Sequence, residues 1–181
     1  MQPTETFTYL VTGGAGFIGS HMVDALLDAG HTVRVVDNFV TGKRENLAHI
    51  ADHIELHEIS ITDRDRLAEA MQGVDYVFHL AALASVPRSV KDPLSSNENN
   101  ITGTLNVCTA ARHEGCRRVV HTSSAGVYGS ALHDEEISEQ HPLVAHNPYT
   151  ASKLAADCVV ESFHRSYDLP VTTVRMFNVY G

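Results

Sequence analysis

A short apolar run, Tyr9-Leu10-Val11, passes directly into Thr12-Gly13-Gly14-Ala15-Gly16-Phe17-Ile18-Gly19 and then into an amphipathic stretch over 17–29. Glycines at this spacing constrain the chain severely. They allow a tight strand-to-helix turn, a close backbone approach to a bound group and close packing of helix on strand. The segment fits G-x-G-x-x-G from Gly14 and G-x-x-G-x-x-G from Gly13. The same alternation recurs downstream. Apolar runs begin at Thr32, Ile54, Val74, Arg118 and Val171, and amphipathic stretches cover 64–71, 91–114 and 148–167. Short strand-like runs without polar alternation, separated by helices, predict an α/β fold: a doubly wound parallel sheet with helices on both faces. Ligands of such sheets sit beyond the carboxyl ends of the strands, so the residues that follow each run carry the function.

Asp37 ends the second run, eighteen residues past Gly19. An acid there accepts hydrogen bonds from a ribose diol, while the glycine turn and helix N-terminus receive a pyrophosphate. Together they predict a dinucleotide site. Asp37 would repel a 2′-phosphate, which favours NAD over NADP, although Lys43 and Arg44 lie close enough to leave NADP open.

Asn147-Pro148 reads as a helix cap and first helical residue. Tyr149 and Lys153 follow four residues apart, on one helical face. A phenol ionises near pH 10, and use as a base near neutrality needs about 4 kcal/mol of help. An adjacent ammonium and a helix N-terminus act in that direction. Ser124, at the end of the fifth strand, is placed to bind the same substrate oxygen.

Composition removes other classes. The chain of 181 residues carries a formal charge of −9, which argues against nucleic-acid binding. No apolar stretch approaches the ~20 residues of a membrane span, and no signal peptide is visible. Three cysteines without metal-ligand spacing (Cys108, Cys116, Cys158) suggest reduced thiols and a cytoplasmic protein. His49, His53 and His57 recur every four residues, but Ile54-Glu55-Leu56 looks like a strand, and no metal site is expected. The run Asp134-Glu135-Glu136, with Glu139, reads as a solvated loop.

The ordered set of motifs resembles the extended short-chain dehydrogenase/reductases, and within them the nucleotide-sugar epimerase/dehydratase family. It runs from Gly13–Gly19 through Asp37-Asn38-Phe39, His79-Leu80-Ala81-Ala82 and Asn100-Ile101-Thr102-Gly103-Thr104. It continues through Ser123-Ser124-Ala125-Gly126-Val127-Tyr128-Gly129, Tyr149-Thr150-Ala151-Ser152-Lys153 and Arg175-Met176-Phe177-Asn178-Val179-Tyr180-Gly181. The resemblance implies a Rossmann NAD-binding domain over 1–181 and a catalytic set of Ser124, Tyr149 and Lys153, with Lys153 also holding the nicotinamide ribose. It implies cofactor contacts at Gly13, Gly16, Phe17, Ile18 and Gly19, then at Asp37 and Asn38. Further contacts fall at Ser60, Ile61, Leu80, Ala81 and Ala82, and at Asn100, Thr122 and Met176. Ser85, Ser124, Phe177 and Asn178 are implied to face the sugar substrate.

Within the family, dehydratases carry Asp-Glu where Ala125 and Gly126 stand, and UDP-glucuronate decarboxylases tend to keep a Glu at position 126. Elimination of water needs such an acid and base. Ser85–Pro93 resembles the UDP-glucose and UDP-N-acetylglucosamine 4-epimerase branch. The implied reaction is C4 epimerisation of a UDP-sugar through a 4-keto intermediate. A one-way ketosugar oxidoreductase and a catalytically silent NAD-binding module are the alternatives. Two departures stand out: Ser60-Ile61 replaces a common Asp-Ile, leaving Asp63 as a helix cap, and Met176 replaces a common Tyr. The resemblance also implies a homodimer through the 91–114 and 148–167 helices, and a smaller substrate domain after this segment. The chain alone is therefore expected to bind NAD but to turn over sugars poorly.

Overall fold

The computed structural model describes residues 5–129 and 136–181. Six strands form one parallel sheet: β1 (Thr8–Thr12), β2 (Thr32–Asp37), β3 (Ile54–Glu58), β4 (Tyr76–His79), β5 (Arg118–Ser124) and β6 (Val171–Met176). Their spatial order is β3-β2-β1-β4-β5-β6. The chain winds outward from β1 to β3, then returns across the sheet to β4 and winds the other way. The direction of winding therefore reverses between β1 and β4, and a crevice opens there at the carboxyl ends.

Successive residues point to opposite faces, so central strands need apolar side chains at nearly every position. Leu10 and Val11 on β1 are both fully buried, one on each side. Beneath α1 (Phe17–Asp28), Val11, Val33 and Val35 pack with Val23 and Leu26. The other face carries α2 (Arg64–Met71), α5 (Gly103–Glu114) and α6 (Pro148–Tyr167), where Leu10, Leu67, Val77, Val107, Val119 and Val160 form the larger core. Fully burying one such side chain contributes about 1.5–3 kcal/mol.

The expected helix over 91–114 is resolved into pieces. α3 (Val86–Lys91) stops at Asp92, whose carboxylate caps α4 (Pro93–Asn97) through Ser95 N at 3.1 Å. Pro93 cannot continue α3 because it lacks an N–H and restricts the residue before it. A π-turn over Glu98–Thr102 then leads into α5. A 3-10 segment over Arg44–His53 had no periodic apolar signal, since only Leu47 of its residues is buried. Asp63 does cap α2, accepting from Arg66 N at 3.3 Å.

The three spaced histidines are separated by this fold. His49 faces Asp24 at 2.9 Å, and His57, now on β3, faces Glu55 at 2.8 Å. Glu136 and Glu139 are exposed, while Asp134 and Glu135 lie outside the described residues. Among the described residues no helix is long and apolar enough to cross a membrane.

Candidate active site

A cavity of about 850 Å³ lies along the carboxyl edge of the sheet, over the crevice between β1 and β4. One end is the glycine turn. Gly13 has φ +73°, and a Cβ there would lie 2.7 Å from Ala81 N. Its N–H donates to Val36 O at 2.7 Å, and its carbonyl accepts from Gly16 N at 3.1 Å. A Cβ on Gly19 would overlap the Gly13 carbonyl oxygen. Gly14 instead packs against Val35 and does not line the cavity. The working frame is thus Gly13-x-x-Gly16-x-x-Gly19. Gly16 caps α1 without any side-chain hydrogen bond, and no acid occupies the first turn. The first N–H groups of α1 and its positive dipole end are left to a ligand.

Asp37, at the end of β2, is nearly buried and lines the same cavity. Its Oδ2 accepts from Ala15 N at 2.9 Å and its Oδ1 from Phe39 N at 2.8 Å, which fixes the carboxylate and leaves lone pairs on both oxygens. Gly42 closes over it: a Cβ there would sit 2.9 Å from Oδ1. Lys43 and Arg44 do not line the cavity. Arg44 is drawn away by Glu58 at 2.6 Å and by the Phe39 ring at 4.1 Å. The cradle has the shape and donor set for a dinucleotide with a free ribose diol, and side chains at Gly13 or Gly19 would clash with the backbone that forms it.

Tyr149, Lys153 and Ser124 gather at the other end. Asn147 Oδ1 accepts from Thr150 N at 2.9 Å, Thr150 Oγ1 accepts from Asn147 N at 3.2 Å, and Pro148 opens α6. This reciprocal cap starts the helix one residue before Tyr149. The Tyr149 N–H, unpaired by the helix itself, donates to Ser89 Oγ at 3.0 Å. Lys153 Nζ donates to the Thr122 carbonyl at 2.6 Å. Burial pushes its ammonium down to about 8. Ser124 Oγ accepts from Gly126 N at 3.1 Å, so its own proton is free to point into the cavity. A Cβ on Gly126 would lie 2.8 Å from the Thr150 methyl carbon.

The cavity wall also includes Phe17, Ile18, Asn38, Ile61, Leu80 and Ala82, together with Ala81 and Thr122. Met176, Phe177 and Asn178 close the side beyond β6. Three expected contacts are not brought there. Ser60 is turned to Thr62 Oγ1 at 2.7 Å, and Ser85 caps α3 through Arg88 N at 3.3 Å. Asn100 is a buried brace: Oδ1 accepts from Leu83 N at 2.8 Å and Nδ2 donates to Ser152 Oγ at 2.8 Å. The π-turn points Asn100 into the packing between α4 and α6, and its neighbour Asn99 lines the cavity instead. Sequence reasoning missed Asn99, His146 and Ser89. A polar residue three before Tyr149 and a second Asn beside Asn100 were the only signals for the first two. Ser89 gave none, because its role needs α3 placed against α6.

The arrangement is similar to known proteins over nearly its whole length. A UDP-glucose 4-epimerase of Mycolicibacterium smegmatis is 43% identical over 178 residues, covering 95% of this chain and 56% of the relative. A solved UDP-N-acetylglucosamine 4-epimerase from Methanobrevibacter ruminantium, in complex with UDP-N-acetylmuramic acid, superposes with a TM-score of 0.92. It is 40% identical and covers 98% of this chain and 57% of that one. A Thermus thermophilus UDP-glucose 4-epimerase solved with NAD gives a TM-score of 0.91 at 39% identity, covering 96% of this chain and 56% of that one. The likeness extends to UDP-glucuronic acid decarboxylases and a dTDP-glucose 4,6-dehydratase, so it reaches the family and stops short of one reaction. The chain spans about half the length of the relatives it matches. With a family match running over residues 9–181, the chain belongs to the NAD dependent epimerase/dehydratase family.

Proposed function

We propose that this chain is the NAD-binding, catalytic half of an enzyme that inverts C4 of a UDP-sugar. One observation carries the choice of reaction. Among the described residues Asp37 is the only acidic side chain lining the cavity, and it lies at the cofactor's ribose end. Among the described residues, the end with Tyr149 presents no carboxylate to remove a second proton or expel water. The Thr150 methyl already fills the space that a side chain at 126 would enter. Hydride transfer with one proton transfer is the chemistry that remains.

NAD would be held by the Gly13–Gly19 turn, Asp37 and Lys153, and when bound it supplies a hydride acceptor that later returns the hydride. Tyr149, as phenolate, takes the proton of the sugar 4-hydroxyl while the C4 hydride leaves. The Ser124 hydroxyl donates a hydrogen bond to the same oxygen without giving up its proton. Lys153, anchored on the Thr122 carbonyl, sets a positive charge beside the phenolate and a donor beside the ribose. The 4-keto sugar then presents its other face, Tyr149 returns the proton, and the C4 epimer forms with no net oxidation. Phe177 and Asn178 form one wall of the sugar pocket. The exposed Leu94 and Leu105 support a homodimer through residues 91–114 and α6, which light scattering would report as twice the 19.7 kDa chain mass.

Titration calorimetry with NAD and NADP tests the cofactor reading. Tighter NAD binding is expected, and equal or tighter NADP binding refutes the role of Asp37. In a preparation that turns over UDP-glucose or UDP-N-acetylglucosamine, Tyr149→Phe should abolish turnover and leave NAD affinity nearly unchanged. Retention of about a tenth of the activity rejects Tyr149 as the base. NAD that co-purifies and survives turnover separates an epimerase from a one-way reductase.

A further inference from the structure

Below the catalytic end of the cavity lies a buried charge cluster for which the mechanism has no use so far. Asp157 follows Lys153 by four residues on α6, so both side chains leave the same helical face one turn apart. Only 7% of Asp157 is exposed. Its Oδ2 accepts from Arg175 Nε at 3.1 Å. Its Oδ1 faces His121 Nε2 at 3.3 Å and has no hydrogen-bond partner. His121 is fully buried, with neither ring nitrogen hydrogen-bonded, and burial favours its neutral form. The next residue on β5 is Thr122, whose carbonyl is the one hydrogen-bond partner of Lys153 Nζ among the described residues.

The cluster is walled by several elements, with Arg175 reaching the partly exposed side. β5 contributes His121 and β4 contributes His79, with ring centroids 5.5 Å apart. His79 is pinned by Thr12 at 2.8 Å and Thr104 at 2.9 Å, and its desolvation holds it neutral. β6 contributes Arg175, which also donates to Tyr128 Oη at 3.2 Å from the 3-10 turn after β5. The α3–α5 side of α6 brings Ser89 and Asn100, which do not ionise. Arg175 therefore pairs directly with the one carboxylate, Lys153 lies one helical turn from it on the same face of α6, and two neutral imidazoles stand beside them.

We propose that Asp157 is the positioning residue that keeps Lys153 charged in its buried site, with Arg175 aiming the carboxylate and competing for it. A buried ammonium bonded to a single carbonyl is poorly solvated, and an opposite charge one helical turn away favours the charged form. Arg175 holds Oδ2 and Oδ1 faces His121, so the carboxylate acts on Lys153 through space rather than by a direct hydrogen bond. The consequence for catalysis rests on the function proposed above, because a neutral Lys153 would neither favour the Tyr149 phenolate nor bind the ribose as a cation. The charge assignment itself rests only on this cluster.

The chain has three lysines, Lys43, Lys91 and Lys153, so side-chain NMR titration of the lysine Cε and Nζ resonances resolves each one. Lys153→Met identifies the signal by its loss. In the folded 181-residue chain without ligand, Asp157→Asn should lower the Lys153 midpoint by about one unit or more, and Asp157→Glu should restore most of it. Arg175→Gln, which removes the competing cation, should move the midpoint upward. A change below about 0.3 unit in folded Asp157→Asn overturns the proposal. If that variant does not fold, absence of an upward shift in Arg175→Gln overturns it. The titration uses neither NAD nor sugar, so its failure is distinct from failure of the proposed reaction.

Discussion

Replacing Lys153 by Met should make the ligand-free chain more stable near neutral pH and less stable at high pH. Lys153 is 4% exposed and makes one hydrogen bond, to the Thr122 carbonyl. Burial lowers its ammonium from 10.5 to about 8. That gap corresponds to about 3 kcal/mol of penalty for carrying the charge in the folded state. In the unfolded chain the group releases its proton near 10.5, whereas in the folded chain it does so near 8. Between those values the unfolded state binds more protons, so stability rises with pH. Below pH 8 the whole penalty is present, and above 10.5 it is gone. Methionine removes the penalty at every pH but leaves the Thr122 carbonyl without its donor, at a cost of about 1 kcal/mol. The variant should therefore be more stable by about 2 kcal/mol at pH 7, with the difference reversing near pH 10. Urea unfolding of both proteins by circular dichroism across this range provides the measurement. Cys108 and Cys116, whose thiols burial pushes up to about 12, destabilise both proteins equally in alkali and cancel in the difference. A difference that stays constant from pH 7 to 10 would refute the reasoning.

Other perturbations have equally definite outcomes. Asn147→Ala removes the acceptor of Thr150 N and should cost about 1 kcal/mol in urea unfolding. Gly126→Ala drives a methyl against the Thr150 methyl carbon and should cost about 1–3 kcal/mol; adding Thr150→Ser, which keeps the capping hydroxyl, should recover most of it. Gly13→Ala meets both a left-handed φ and Ala81 N, and should abolish NAD binding by calorimetry even where circular dichroism shows folded protein. A Gly13→Ala chain that binds NAD as well as wild type would show that the turn does not hold the pyrophosphate.

The doubly wound sheet was legible because its determinants are local and periodic. The run Thr32–Asp37 buries residues on both faces, Arg118–Ser124 alternates buried with half-buried positions, and the glycine spacing marks a tight strand-to-helix turn. The caps at Asp63 and Asn147 were readable for the same reason, since each uses a donor within three residues. The break at Asp92-Pro93 was visible as residues, but the apolar periodicity on either side concealed it. The segment over Arg44–His53 buries too little to leave a pattern.

Sequence by itself determined the alternation of strands with helical segments, the glycine turn, the acid after β2 and the one-turn spacing of Tyr149 and Lys153. Each depends on neighbours a few residues away, whose relative positions follow from backbone geometry alone. Only the tertiary structure decided that Gly13 rather than Gly14 faces the cavity, because that choice depends on where Ala81 and Val35 lie. It placed Asn99 on the cavity wall and turned Asn100 toward Ser152, because the π-turn rotates them relative to a regular helix. It also put Asp157, His121 and Arg175 together from three different elements. Burial and charge act through space, and the distance along the chain carries no record of them.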